Sequence, residues 1–533
     1  MPSATQIDEI IKRNLRLFQK AGVTSIRPGY KARGGRLTHE PAIVVSVREK
    51  KRTVPPEQLL PAVVDGVQVD VRQVSPIEAL RTTDPHQFAQ VMANVPVGNE
   101  PAYMQTPTFP LERDPQGKLV TDKLSDAEPT RGRKASGPHY QKLSASMLAE
   151  IQGPFKITCF ASPDDGWPTL KQFLSGATKT LTVGMYEFTA PHIVQTVSVA
   201  LKGKTLNLVL DDPRYDQEKR EQTESQTQQQ LESAIGKKFN FSWAAEGSDP
   251  HSSFSIFPSA YHIKVAIRDS SALWLSSGNL NSTNLPNIVP LTNPADAATA
   301  ADADRDWHVI IENEQLASVF ETAVLQDLAQ AQPGQQTAAS TPGTRSDRPK
   351  GAPISHFEAA QSFNENMSIQ PAFTPDNYID VILPLIKGAK QSFWMQTQYI
   401  NPSKHFPDDV KKPVTERSNL EQLIDALANL QKNGLDVKIL LGSFQTTSQL
   451  EMLQMFGNID ATTIRLQENV HNKGMIIDSV ITVIGSQNWS TEGVDTNRDA
   501  SVVIKSSSVA QYWKNLFLLD WNTRSRAPEL PAK

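Results

Sequence analysis

The sequence predicts an α/β protein. Two tandem lobes, each a mixed sheet flanked by helices, follow a small N-terminal α+β module. Three observations predict this. At 533 residues the chain is too long for one ordinary core. It repeats itself over the length of a whole domain. Within each repeat, Val- and Ile-rich runs alternate with amphipathic runs in the order β-α-β.

Residues 1–83 form the module. Ile7, Ile10, Ile11, Leu15 and Phe18 recur at helical spacing, and "PAIVVSVREKK" and "VDGVQVDVRQV" read as strands. Residues 84–145 are rich in Pro, Gly, Asp and Thr with weak periodicity, which predicts an extended connector. Residues 146–330 are the first lobe. Residues 331–353, "AQPGQQTAASTPGTRSDRPKGAP", have almost nothing to bury and predict a flexible linker. Residues 354–533 are the second lobe.

The repeat is visible in two places. "FLSGATKTLTVGMYEF" matches "LIKGAKQSFWMQTQYI", with Gly176 on Gly388, 212 positions apart. "YHIKVAIRDSSALWLSSGNLNSTN" matches "VHNKGMIIDSVITVIGSQNWSTEG", with His262 on His471, 209 apart. The second match equates Lys264 with Lys473, Asp269 with Asp478, Ser277 with Ser486 and Asn279 with Asn488. Downstream, "DRDWHVIIEN" on "NRDASVVIKS" equates Asp306 with Asp499.

A histidine and a lysine two apart on a strand share a face. They fill a core poorly and hold a phosphate well. A phosphodiester gathers negative charge on its equatorial oxygens as it reacts, and fixed cations and donors stabilise that charge. Each copy offers a lysine, an asparagine amide and a serine hydroxyl, so Ser277 and Ser486 are expected to bind substrate. Imidazole serves as a nucleophile when neutral and as a proton donor when charged. One histidine attacks phosphorus. The other protonates the leaving oxygen and then activates water. Asp306 and Asp499 are candidates to fix the imidazole tautomer. The scheme needs no metal and no cofactor.

H-x-K-x4-D followed by G-S-x-N resembles the signature of the phospholipase D superfamily. It stands complete as His471, Lys473, Asp478, Gly485, Ser486 and Asn488. The first copy has Ser276 at the place of the usual glycine. The resemblance covers residues 150–525 and implies a two-lobed pseudo-dimer with one active site between the lobes. It implies His262 as nucleophile and His471 as acid, with Asp269 and Asp478 as supports of the lobe. The insertion "LPNIVPLTNPADAATAADA" before Asp306 reads as a loop at the mouth of the site. The other eight histidines read as surface or structural. Among them His308 is weighed as a neighbour of the site, because it shares a strand with Asp306. Trp307 and Trp489 read as core packing. The N-terminal module resembles short modules ahead of bacterial trypsin-like proteases. A regulatory protein partner, a protease, is therefore expected to act on it or on the connector.

The formal net charge is −4, which excludes a polybasic nucleic-acid binder but leaves room for a local basic cleft. A single cysteine, Cys159, excludes an intramolecular disulfide. There is no signal-peptide pattern, no apolar run long enough for a bilayer, no Walker loop, no G-x-G-x-x-G after a strand and no CxxC pair. The chain is expected to be cytoplasmic. Membrane-bound synthases and secreted lipases of the family carry the features it lacks. The first expectation is therefore a nuclease acting on DNA, with phospholipid as the alternative substrate. A non-catalytic binding scaffold is the third reading.

Overall fold

The computed structural model describes residues 2–73, 140–211, 222–246, 254–333, 354–402, 412–442 and 445–528, less a few short gaps within those spans. The 84–145 connector up to residue 139 and the 331–353 linker from residue 334 lie outside the described residues.

The first lobe contributes strands β1 (Ile151–Ser162), β2 (Thr180–Met185), β3 (Thr205–Leu210), β4 (Phe239–Trp243), β5 (Lys264–Arg268), β6 (Ala272–Ser276) and β7 (Asp306–Glu312). The second contributes β8 (Gln361–Thr374), β9 (Ser392–Thr397), β10 (Asp436–Gly442), β11 (Ile464–Gln467), β12 (Lys473–Ile477), β13 (Ile481–Gly485) and β14 (Asp499–Lys505). All lie in one mixed sheet, in the order β4-β3-β2-β5-β6-β7-β1-β8-β14-β13-β12-β9-β10-β11. Short strands Gln332–Pro333 and Ser525–Arg526 cap its two ends. The order reads the same from either end once each strand of one lobe is exchanged for its repeat in the other. The seam is the antiparallel pair β1–β8, in register from Ile151 opposite Ile369 to Cys159 opposite Gln361.

Period-2 alternation assigns the two faces. Val265, Ile267, Val309 and Ile311 point to a core shared by both lobes under helices Glu314–Gln330 and Ser507–Leu519. Ala266, Trp274 and Ile310 point to a separate core under helices Gly166–Ser175, Pro191–Ala200 and Glu224–Ile235. The second lobe repeats this with its own core under Tyr378–Gly388 and Asn419–Lys432. Trp307 stacks on Trp513 at 4.5 Å within the shared core, so the lobes are joined by packing as well as by backbone pairing.

Two elements differ from the sequence reading. Residues 140–145, expected in the connector, pack on the second lobe: Tyr140 Oη donates to Asp376 at 2.6 Å, and Leu143 is buried. The module contains a strand, Val23–Arg33, that Pro28 and Gly29 hide in the sequence. It lies at the edge of the four-stranded sheet, where a proline costs no ladder bond on its open side. Its Tyr30 meets Phe456 of the second lobe with ring centroids 5.8 Å apart.

Candidate active site

The two halves of the site meet because each motif is bonded to the other lobe. Arg305 N donates to Asn469 O at 2.7 Å and His471 N to Arg305 O at 3.1 Å, while Arg498 N donates to Ala260 O at 2.8 Å. These short parallel contacts draw the start of β7 beside the approach to β12, and the start of β14 beside the approach to β5. The histidine–aspartate pairs are therefore crossed. His262 Nδ1 lies 2.8 Å from Asp499 Oδ1, and His471 Nδ1 lies 3.1 Å from Asp306 Oδ1. Residue spacing within one copy carries no trace of this exchange.

Lys264 Nζ donates to His262 O at 2.7 Å and sits 5.4 Å from the Tyr186 ring centre. Lys473 Nζ lies 3.2 Å from His471 Nε2. All four side chains are almost fully buried, between 0% and 3% exposed. Burial, reinforced by Lys264, pushes the His262 pKa down to about 4, so the ring is neutral at pH 7. Burial, again with a lysine beside the ring, holds His471 well below its ordinary value. Lys473 is brought down to about 8 by burial, against the pull of Asp306, Asp499 and Asp304. Burial pushes Asp499 up, but His262 and Lys264 outweigh it and keep this carboxyl below the usual range.

Ser277 and Ser486 were expected on the substrate. In the structure each hydroxyl donates to the aspartate of its own lobe, at 2.7 Å to Asp306 and 2.6 Å to Asp499. They orient the carboxylates that orient the imidazoles. Asn279 Nδ2 donates to Glu187 at 3.2 Å, whereas both polar atoms of Asn488 are buried without a partner among the described residues. Asp269 and Asp478 sit far from the histidines, at the turns of hairpins β5–β6 and β12–β13. Asp269 and Ser270, like Asp478 and Ser479, have positive φ, the paired left-handed conformation of a tight hairpin turn. Asp269 accepts three successive backbone N–H groups, from Thr178, Lys179 and Thr180, and Asp478 does the same for Lys390, Gln391 and Ser392. Each pins the start of the neighbouring strand, β2 or β9.

Ser276 has a physical reason. Its cross-strand partner is His308, while Gly485 faces Ser501, whose Oγ would lie 1.7 Å from an added Cβ. His308 shares the side of Asp306 but lies two residues deeper. It stacks on Phe160, and its Nε2 bonds Ser162 Oγ at 2.8 Å. Burial pushes it down to about 4. An unfolded histidine titrates near 6.5. Between about pH 6.5 and 4 the unfolded chain binds a proton that the folded chain refuses, so this group lowers stability as pH falls through that window. His308→Phe is expected to make the fall of melting temperature from pH 6.5 to 4 shallower and to leave turnover at pH 7 unchanged. Loss of turnover would place His308 in the chemistry.

The sequence reading missed the residues that lock the crossing. Arg305 binds Asp164 at 2.7 Å in its own lobe and Asp520 at 2.9 Å in the other. Arg498 binds Asp376 and Asp327 in the same way, each at 2.9 Å. The repeat contains this pattern: 376 − 164 = 212, and 520 − 327 = 498 − 305 = 193. Extending the alignment by charge would have found it. Among the described residues, no group of three or more His, Cys, Asp or Glu is arranged to hold a metal ion.

Residues 382–521 match the family described as cardiolipin synthase, PLD-like domain. They span His471, Lys473, Asn488 and Asp499. Among solved structures, the chain is similar to a phosphatidylserine synthase from Haemophilus influenzae Rd KW20. The TM-score is 0.45 at 12% identity, over 73% of this chain and 89% of that one. It is also similar to Nuc, a phospholipase D family member from Salmonella typhimurium. Here the TM-score is 0.24 at 23% identity, over 31% of this chain and 99% of that one. No curated protein matches the sequence.

Proposed function

We propose that this chain, a member of the phospholipase D superfamily, breaks phosphodiester bonds through a covalent phosphohistidine. The crossed pair of buried histidine–aspartate couples, each with its lysine, supports this reading above any other observation. His262, neutral at pH 7, attacks phosphorus through Nε2 while Asp499 steadies the Nδ1 proton. Lys264, Lys473 and the unpartnered amide of Asn488 take up charge on the non-bridging oxygens. A bound phosphodiester brings negative charge beside His471 and raises its pKa, so the ring is protonated when the leaving oxygen needs its proton. The same ring then takes a proton from water, and the water oxygen displaces His262 from phosphorus.

For the substrate, the framing loops support a lipid phosphodiester over DNA. Residues 279–304 and 488–497 leave the two asparagines and return toward the two aspartates. They carry Asp296, Asp302, Glu492 and Asp495, with Asp304 buried beneath them and no lysine or arginine. Such a rim repels a line of backbone phosphates, which calls for clustered cations. The longer loop also exposes Val289 and Leu291, each 41% accessible. Phospholipid vesicles and single- and double-stranded DNA, each assayed in excess EDTA, test both parts. Release of the lipid head group in chelator is expected, because lysines and histidines supply the charge here. Cleavage of DNA alone would overturn the lipid reading and leave the chemistry standing. Activity lost in EDTA and restored by a divalent ion would overturn the metal-free mechanism.

A further inference from the structure

The two half-sites share residues but not hydrogen bonds. Asp499 accepts from Ser486 and His262, both on Oδ1, and its Oδ2 is buried without a partner among the described residues. Asp306 accepts from Ser277 and His471 on Oδ1, and its Oδ2 takes a third bond, from Asn284 Nδ2 at 2.8 Å. Asn284 aligns with Gly493 of the other lobe (284 + 209 = 493). No side chain fits there: a Cβ on Gly493 would lie 2.2 Å from Asn488 O. Lobe 1 has made room for the extra contact. A Cβ at Gly278 would lie 2.5 Å from Asp306 Oδ2 and 3.1 Å from Asn284 Cβ, and the counterpart of Gly278 is Gln487.

We infer that Asn284 is a positioning residue that makes the two histidines unequal, by weakening the hold of Asp306 on His471. A donor bonded to a carboxylate stabilises its charge and makes it a poorer proton acceptor. The imidazole bonded to the better acceptor is the stronger base at its far nitrogen. Asp499, with one bond fewer, serves His262 at 2.8 Å, while Asp306 serves His471 at 3.1 Å. His471 faces Asp306 and Asp304 from lobe 1, Lys264 and His262 from the opposite half-site, and Lys473 from its own strand. Asn284 Nδ2 also reaches Asp304 Oδ2 at 3.2 Å, so the amide draws on both lobe-1 carboxylates that face His471, and its shorter bond, 2.8 Å, is to Asp306, which holds the ring. The asymmetry makes His262 the better nucleophile and His471 the better acid. The roles rest on the phosphodiester reading above; the inequality of the two rings does not.

The test uses the full chain and reads the Nδ1–H protons of the two rings by NMR, assigned by their loss in His262→Asn and His471→Asn. In Asn284→Ala the His471 proton is expected to move downfield while that of His262 stays. In the assay, the alkaline limb of the kcat–pH profile, which reports the protonated acid, is expected to move up by about one pH unit. Asn284→Ser, which keeps a small polar side chain in the loop, is read in the same way. An unmoved His471 proton, or equal movement of both, would overturn the inference. A chain with no diesterase activity would remove the proposed reaction and still leave the NMR reading to decide the role of Asn284.

Discussion

His262→Asn and His471→Asn are each expected to lower diester turnover by at least about 10⁴-fold, because each removes one of two groups that act as a unit. The folds should survive, since asparagine keeps a polar atom near the partner carboxylate. The two losses differ in kind. With a diester whose leaving group is a nitrophenol, departure needs no proton donor. The His471→Asn protein is then expected to form the phosphohistidine but not to hydrolyse it, and its intact mass should rise by the substituted phosphoryl group. The His262→Asn protein should show no mass change. Labelling in the His262→Asn protein would reverse the roles, and near-normal turnover in either would overturn the paired-histidine chemistry.

Arg305→Met and Arg498→Met are expected to destabilise the protein by roughly 3–5 kcal/mol each, measured by denaturant unfolding, because each removes the buried guanidinium that bridges two buried carboxylates, Arg305→Met the less since Asp520 keeps Arg524 at 3.3 Å. Asp164 and Asp520 lose Arg305, and Asp327 and Asp376 lose Arg498. Burial already pushes Asp327 up to about 6 with its arginine in place. Without it the carboxyl must take a proton or draw in water. Adding Asp327→Asn and Asp376→Asn to Arg498→Met should recover part of the loss, since uncharged amides cost less to bury. Activity should fall with stability, because each arginine immediately precedes the aspartate that holds the opposite histidine. A change below about 1 kcal/mol would mean that these bridges do not bind the lobes together.

Much of the candidate site's geometry was legible because it is local. His262 and Lys264, and His471 and Lys473, share a face by strand alternation alone. The distance from each motif to its serine and asparagine is one tight hairpin. The expectation that Asp269 and Asp478 support the lobe came from the family resemblance and not from local spacing, since the backbone N–H groups they accept from lie 86 to 91 positions away. His308 shows the limit of local reasoning. Alternation placed it on the side of Asp306, but side is not depth, and two residues along β7 separate the carboxylate bonded to His471 from a ring stacked in the core.

The sequence by itself determined the duplication, the strand–helix alternation and the candidate residues of the site, because a repeat and a period are properties of one chain read in order. Only the tertiary structure decided which aspartate serves which histidine. The exchange of Asp306 and Asp499 between lobes arises from backbone bonds at Ala260, Arg305, Asn469 and Arg498 and from the four-carboxylate arginine lock. These join residues some 120 to 240 positions apart. Contacts at such separations follow from the packing of two whole lobes across β1 and β8, and no local periodicity encodes them. Ser277 and Ser486 turn to the carboxylates for the same reason: the aspartates are buried between the lobes, and the nearest hydroxyl donates to each.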